Sequence, residues 1–518
     1  MSMPFAERLV LLVPEMVLLA GAIVVSVMGL SSRGIVRAIV PWATIAALAG
    51  SLVAVVMVHR PELAASADLP IPMLGLFARG LLAATGIGLV LITMGSVDRP
   101  LERAFAKGLA PFDPMRVLGG EFHAFMLFSI AGAMLVTVAS DLVWLFLAIE
   151  LSSLPTYIMV ATSRGSRLAQ EAAVKYFFLG AMSTAILLYG FAMLYGATGS
   201  MELLAIEEAM TSGAAESSIA VLGIILVILA LGFKITAVPM HFYAPDVYEG
   251  AAISTTSFLS FVPKATGLFV LMTVLAAVGW SANAAPASLP PEAGKVLWMV
   301  AALTMTLGNL GGLLQRSIKR MLAYSSISHS GYMLVGIVAG PQFGGFDATL
   351  FYLLTYGVTN LAVFGAIASI ERQGSEIDSF DDLAGLRVRH PWASAMLAIG
   401  AASLIGMPPL LGFWGKLDLF AAGLDAGHVV LVVILAVNSA ISVWYYLRLI
   451  GLPIIAPAGP RTEGLESSPS RFPLLAAVVA GLGTVLLPIM LGSLVDAASV
   501  AGPTAIEDAS PQAAVTAP

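Results

Sequence analysis

Ionisable side chains stand inside otherwise apolar runs of this sequence: Glu150 in LVWLFLAIELSSLP, Lys234 in LALGFKITAVP, Lys264 in FLSFVPKATG, His329 in AYSSISHSGY and Lys416 in GFWGKLDLF. A lysine at the centre of a membrane-spanning helix costs roughly 2.5–3.5 kcal/mol, so something must offset it. A lone buried lysine or carboxylate gives up its charge, whereas a neighbouring Lys–Glu pair keeps both. At about 4 Å and an effective dielectric of ~20, attraction within such a pair is about 4 kcal/mol. Moving a proton against ~180 mV costs about the same, at ~2.3 kcal/mol per 100 mV. Making and breaking a Glu150–Lys234 pair is therefore of the right magnitude to make the lysine release or accept a proton. Lysine tuned by burial and histidine near neutral pH suit a relay of this kind.

The premise of a membrane comes from composition. Of the 518 residues 59% are hydrophobic and only 11% charged, with mean hydropathy +0.94, which soluble domains do not reach. Apolar runs of about 20 residues, the length that crosses a hydrocarbon core, recur throughout. The absence of cysteine removes thiolate-held iron–sulfur clusters, cysteine zinc sites and disulfides. The histidines (His59, His123, His241, His329, His390, His428) are scattered, no P-loop or dinucleotide fingerprint is evident, and the chain reads as holding no cofactor. Glu15 interrupts the first apolar stretch, which is too long for a signal peptide and reads as a membrane helix.

Hydropathy lays out about 14 spans of an all-α polytopic membrane protein. Alternate loops carry Arg33, Arg37, Arg99, Arg103, Lys107, Arg116, Arg164, Arg167, Arg316, Lys319, Arg320, Arg372, Arg387, Arg389, Arg461 and Arg471, against only Arg8, Arg60, Arg79 and Lys295 on the other face. Basic loops face the cytoplasm, which puts both termini on the periplasmic side. Spans 217–248 and 392–424 are too long for one straight crossing at 1.5 Å per residue. Each holds helix breakers: Pro239 in the first, Pro408 and Pro409 in the second. Broken spans are tolerated where they line a polar cavity. The breaks fall five spans apart, and an odd repeat inverts its second copy, so spans 4–8 and 9–13 read as two inverted repeats. The domain division is then 1–120 for an N-terminal three-helix segment, 121–280 and 281–450 for the repeats, and 451–518 for the last helix and tail.

Other charges have blander readings. Lys175 lies near a helix end with Glu171 four residues before it, and a snorkelling side chain in a helical ion pair is as good a reading as a relay. His329 could equally be a packing histidine. Arg448 reads as an interfacial anchor and Glu15 as near the outer interface. Asp246 and Glu249 could cap the first break, and His241 could bond backbone freed there.

Five stretches, GFKITAVPMHFYAPDVYEGA, EAAVKYFFLGAMSTAILLYGFAMLYGATGS, IKRMLAYSSISHSGYMLVG, EIDSFDDLAGL and GMPPLLGFWGKLDLF, resemble the antiporter-like subunits of proton-pumping NADH:quinone oxidoreductase, respiratory complex I, across roughly residues 120–425. PDVYEGA and LYGATGS point to the N-type among them. The resemblance implies a bacterial inner-membrane subunit with Glu150 and Lys234 as the first-half pair, Lys264 as the connecting lysine and Lys416 as the second-half lysine near the outer exit. Lys175, His241, Tyr324 and His329 are weaker carry-overs. It implies M-type, K-type and J-type neighbours, a lipid bilayer, protons as the transported species and no nucleic acid. NADH, FMN, iron–sulfur clusters and quinone are expected in partner subunits. The sequence departs from the family at AISTTSF and at Pro263, which could alter the geometry around Lys264. An Mrp-type cation/proton antiporter subunit and a purely structural membrane subunit are the alternatives.

Overall fold

The computed structural model describes residues 5–58, 69–109, 111–114, 116–163, 166–280, 289–372, 375–459, 462 and 464–500; His59, Arg60, Arg164 and Arg461 lie outside them. After a short leading helix, the chain forms α1 Val13–Gly29, α2 Gly34–Val58, α3 Leu74–Thr93, α4 Arg99–Ala106, α5 Gly119–Val136, α6 Leu142–Thr162 and α7 Arg167–Thr198. Then follow α8 Leu203–Thr211, α9 Ser217–Lys234, α10 Ala244–Gly250, α11 Ile253–Val278, α12 Pro291–Leu313, α13 Ile318–Ala339 and α14 Gly345–Ala368. The last helices are α15 Pro391–Ile405, α16 Leu411–Asp425, α17 Val429–Ile454, α18 Phe472–Leu486 and α19 Leu491–Val500.

Among the described residues, 11 helices are long and apolar enough to cross a membrane, and α1 and α15 are shorter apolar helices. Helix α13 is not one of the 11. Its hydropathy is diluted by Lys319, Arg320, His329 and the serines at 325, 326, 328 and 330, all but Arg320 buried inside the protein.

Helix α11 is buried along its whole length, which fits a sequence apolar all round with only small hydroxyls and one lysine. Pro263 lies within it, yet the helix runs unbroken past Lys264. Close crossings rest on small residues, as is usual where lipid supplies no hydrophobic drive. Between α12 and α13, a Cβ on Gly308 would lie 2.6 Å from the Ser328 nitrogen, and one on Gly331 would lie 2.5 Å from that of Met305.

The all-α reading misses a small antiparallel sheet, β1 Ile370–Arg372, β2 Ser375–Glu376 and β3 Leu465–Ser467, in the order β2-β1-β3. Its strands are two or three residues long, too short for an alternating pattern to register in sequence. One charge also differs from expectation. Lys319, read as a loop residue, lies in the first turn of α13 and is buried. Glu15 of α1 and Arg79 of α3 form a buried ion pair, Nε to Oε1 2.7 Å with both side chains 1% exposed. The contact lacks hydrogen-bond alignment, leaving both Glu15 carboxylate oxygens and Arg79 Nε and Nη2 without a hydrogen-bond partner among the described residues.

Candidate functional site

Two interrupted helices set the frame. Helix α9 stops at Lys234, and the chain makes turns containing Pro239 before α10 resumes at Ala244. Backbone groups released there find hydroxyls: Tyr243 Oη donates to the Phe233 carbonyl (2.8 Å), Ser330 Oγ donates to the Ile235 carbonyl, and the Val238 N–H donates to Thr304 Oγ1 (2.9 Å). Two of these three hydroxyls come from α12 and α13. In the second interruption α15 ends at Ile405, Gly406 turns at φ +90, and α16 starts at Leu411 beyond Pro408 and Pro409. The halves then touch: a Cβ on Gly412 would lie 1.9 Å from the Ser403 carbonyl oxygen.

Each interruption carries a buried lysine at a helix C-terminus, the end whose carbonyls favour a cation. Lys234 is the last residue of α9; its ammonium donates to Ser153 Oγ at 2.5 Å and Tyr157 Oη at 3.4 Å. Lys416 donates to the Ile405 carbonyl that ends α15 and to Ser439 Oγ of α17, both at 2.8 Å. Between them, Lys264 donates to Ser326 through the carbonyl (2.5 Å) and Oγ (2.8 Å), and to Tyr356 Oη (3.4 Å). The three are 6%, 4% and 1% exposed respectively.

The direct contact expected between Glu150 and Lys234 is not made. Glu150 is half-buried and accepts from Thr184 Oγ1 of α7 at 2.8 Å, while Lys234 is held by Ser153, one turn further along α6. Among the described residues none of the three buried lysines touches a carboxylate. Hydroxyls, carbonyls and ring faces satisfy them instead. Around Lys234 the rings of Phe233, Tyr243 and Tyr176 stack, Phe233 on Tyr243 at 4.2 Å and Tyr176 on Tyr243 at 5.3 Å, and Tyr157 meets Tyr176 edge to face at 4.6 Å.

His329 has both ring nitrogens engaged, Nδ1 with Tyr352 Oη at 2.7 Å and Nε2 with Tyr446 Oη at 2.9 Å. Tyr446 Oη in turn meets Ser325 Oγ. The histidine bridges the lysines through aromatic rings. Lys264 Nζ lies 4.4 Å from the Tyr356 ring, whose centroid is 5.2 Å from that of His329; Tyr332 is 5.2 Å on the other side, with Lys416 Nζ 5.0 Å beyond. From Lys264 back to the first interruption, Ser330 Oγ donates to the carbonyl of Ile235, next to Lys234, and lies 3.2 Å from the Ser326 carbonyl that binds Lys264. Lys234, Lys264, His329 and Lys416 thus form one row, with α13 touching every step.

Other candidates lie off the row. Lys175 is 42% exposed and pairs with Glu171 (2.8 Å) and Asp246 (2.9 Å). Asp246 also binds Arg320 at 2.9 Å, and Arg320 reaches Glu249 at 2.7 Å, so these groups form an ionic cluster below the first interruption. His241 is half-buried within the interruption, and Tyr324 packs on Gly311, where an added Cβ would lie 2.3 Å from its ring. The partners that hold the row, Ser153, Ser326, Ser330, Tyr352, Tyr356, Ser439 and Tyr446, were not singled out in the sequence, nor was Lys319. Its ammonium donates to the Glu249 and Ala251 carbonyls (2.8 and 2.9 Å), and Glu376 accepts from the first N–H of α11, so charges of the favoured sign sit on the end of α10 and the start of α11.

Residues 139–442 match the family described as NADH:quinone oxidoreductase/Mrp antiporter, TM. Over 372 residues, 72% of this chain and 75% of the relative, the chain is 38% identical to NADH-quinone oxidoreductase subunit N of Nitrosomonas europaea. Among solved structures it is similar to a chain of respiratory complex I from Thermus thermophilus with bound aureothin, with TM-score 0.72 and 30% identity over 94% of this chain and 100% of that one. A chain of the Mrp complex from Dietzia sp. DQ12-45-1b shares the fold, with TM-score 0.74 and 21% identity over 96% and 97%.

Proposed function

The chain belongs to the NADH:quinone oxidoreductase/Mrp antiporter membrane family, and from that premise we propose that it is an N-type membrane-arm subunit that carries protons along the row Lys234–Lys264–His329–Lys416. The observation that carries this reading is the row itself: four buried titratable groups, Lys264, His329 and Lys416 joined through hydroxyls and ring faces, and Lys234 set beside Ile235, whose carbonyl meets Ser330 at the Lys264 end. Glu150 acts on Lys234 by its charge from one turn away along α6, rather than as a contact partner in the state described.

The architecture that goes with it has 14 membrane crossings. The three-helix segment is 1–120, inverted repeats span 121–280 and 281–450, and the last helix and tail occupy 451–518; α9–α10 and α15–α16 are the discontinuous helices. Both termini lie on the periplasmic side of the bacterial inner membrane, opposite the basic loops. M-type, K-type and J-type subunits are the membrane-arm neighbours. NADH, FMN, iron–sulfur clusters and quinone belong to other subunits, whose electron transfer drives this chain conformationally. Buried basic groups rather than clustered oxygens along the row favour H⁺ over Na⁺.

The Mrp-type reading shares the fold and would need the same lysines without a redox partner. Deleting the chain from its host and assaying inverted vesicles separates the two. The complex I reading requires that NADH-driven acidification of the vesicle interior be lost, and that an affinity-tagged copy bring down quinone-reducing subunits. Intact NADH-driven acidification together with lost Na⁺/H⁺ exchange would give the Mrp reading instead.

A further inference from the structure

Away from the row, a cavity of about 370 Å³ lies among the ends of α1, α2, α3, α5 and α18, on the face that carries the basic loops. Its lining comes from the last residue of α1 (Gly29), the first turn of α2 (Gly34, Arg37), the last residue of α3 (Thr93) and the first residues of α5 and α18. Five helices ending at one level place it at the depth of lipid headgroups. Helix α4, too short and too polar to span, adds Glu102 to the wall.

The polar groups of the cavity carry both signs. Arg37 holds Glu102 with two parallel bonds, Nε to Oε1 at 2.6 Å and Nη2 to Oε2 at 2.8 Å, and donates Nη1 to the Ser31 carbonyl at 2.7 Å. A guanidinium has five N–H donors, so two remain, and its Cζ lies 4.6 Å from the centroid of the Phe112 ring. Asp98 enters with a left-handed backbone, φ 54, uncommon for a non-glycine residue and associated with functional positions. One of its oxygens, Oδ2, accepts from the N–H groups of Leu118 and Gly119 at 2.6 and 2.5 Å, which leaves Oδ1 for the cavity. Burial holds this carboxyl above its ordinary value, against those two donors and the nearby Arg37 guanidinium. Beside these groups lie Trp42 and Phe472, edge to face at 5.3 Å, with Trp42 48% exposed toward the surroundings.

We propose that this cavity binds the headgroup of phosphatidylethanolamine from the leaflet on the basic-loop side, the ammonium against Asp98, the phosphate on the remaining N–H groups of Arg37, and an acyl chain leaving past Trp42 and Phe472. Sites for anionic lipids are built from clustered cations; among the described side chains one arginine faces two carboxylates, so an anionic headgroup would leave Asp98 unmatched. A zwitterion matches both signs, and the volume falls within the range of about 300–1,000 Å³ usual for small-molecule sites.

The test uses the intact purified complex in nanodiscs with a phosphatidylethanolamine carrying a photoreactive diazirine on its acyl chain near the glycerol, labelled peptides being read by mass spectrometry. Labelling is expected on residues 34–42 and around Phe472, and unlabelled phosphatidylethanolamine should displace it at about one tenth the mole fraction that phosphatidylglycerol requires, an advantage of about 1.4 kcal/mol. Asp98→Asn should lower it at least ~5-fold, the scale of one charge-assisted hydrogen bond. Because Asp98 also holds the start of α5, Gly34→Leu serves as the second variant; a Cβ there meets nothing nearer than Arg37 Nη2 at 3.8 Å, so the side chain can fill the cavity without disturbing that cap. Equal displacement by phosphatidylglycerol, or wild-type labelling in assembled Gly34→Leu complex, would overturn the proposal.

Discussion

Ser326 gives Lys264 two of its three hydrogen bonds, one from the hydroxyl and one from the main-chain carbonyl. Ser326→Ala removes only the first. A hydrogen bond to a charged group contributes about 1.5–3 kcal/mol, so NADH-driven pumping by the assembled complex should fall at least several-fold, while Ser326→Thr keeps most of it. Unchanged pumping in Ser326→Ala would show that Lys264 does not depend on this partner. Tyr446→Phe probes the next step, since its hydroxyl meets both His329 Nε2 and Ser325 Oγ. A positioned proton-transfer partner contributes about 10²–10⁴-fold, and even partial bypass by water should leave a clear loss of pumping with normal assembly. The lysines were legible in the sequence because a charge in an apolar run is conspicuous. Their partners were not, because serine, threonine and tyrosine are ordinary in such helices and only the fold decides which of them meet. Glu150 illustrates the same limit: the sequence placed it near Lys234, but which of the two neighbouring hydroxyls, Ser153 or Thr184, each charge would take depends on helix rotation.

At the scale of elements, the two interruptions were legible through Pro239, Pro408 and Pro409 together with excess span length. What the sequence left hidden is how the free ends are closed. Helix α13 does much of it, through Lys319 on the end of α10, Ser330 on Ile235 and Ser326 on Lys264. The positive charge of Lys319 looked like part of a basic loop because only one turn separates it from Arg316. Lys319→Met should uncover the α10 carbonyls and lower the thermal stability of the complex together with pumping, with Lys319→Arg recovering part of both; a variant with full stability and rate would mean that the α10–α11 junction holds without it. In the second interruption, Gly412→Ala would bring a methyl within 1.9 Å of the Ser403 carbonyl oxygen unless α15 and α16 separate. Overpacking of this kind costs about 1–3 kcal/mol, so a drop in the midpoint of thermal unfolding is expected, measured on the detergent-purified complex, and an unchanged midpoint would show that the half-helices slide freely.

Over the whole molecule, the first three helices stand apart from the row and carry their own buried charges. Glu15 and Arg79, both read from the sequence as lying toward the outer side, pair with each other inside the protein. Removing one partner of a buried pair costs about 3–5 kcal/mol, whereas an apolar replacement of both is often tolerated. Arg79→Leu should therefore reduce the assembled complex in membranes, and Glu15→Leu/Arg79→Met should restore it, as read by native gel; loss in the double variant equal to that in the single would contradict a pairing role. The membrane class and the two-break plan were legible from hydropathy, proline placement and the motifs; the small sheet and the close helix crossings at Gly308 and Gly331 needed the fold. The central claim is that Lys234 carries the transported proton. It is tested most directly in inverted membrane vesicles bearing Lys234→Ala, with NADH oxidation and pH-gradient formation recorded together and assembly checked in the same membranes. If the lysine belongs to a tightly coupled path, both rates fall together in fully assembled complex; wild-type rates of both would contradict the account.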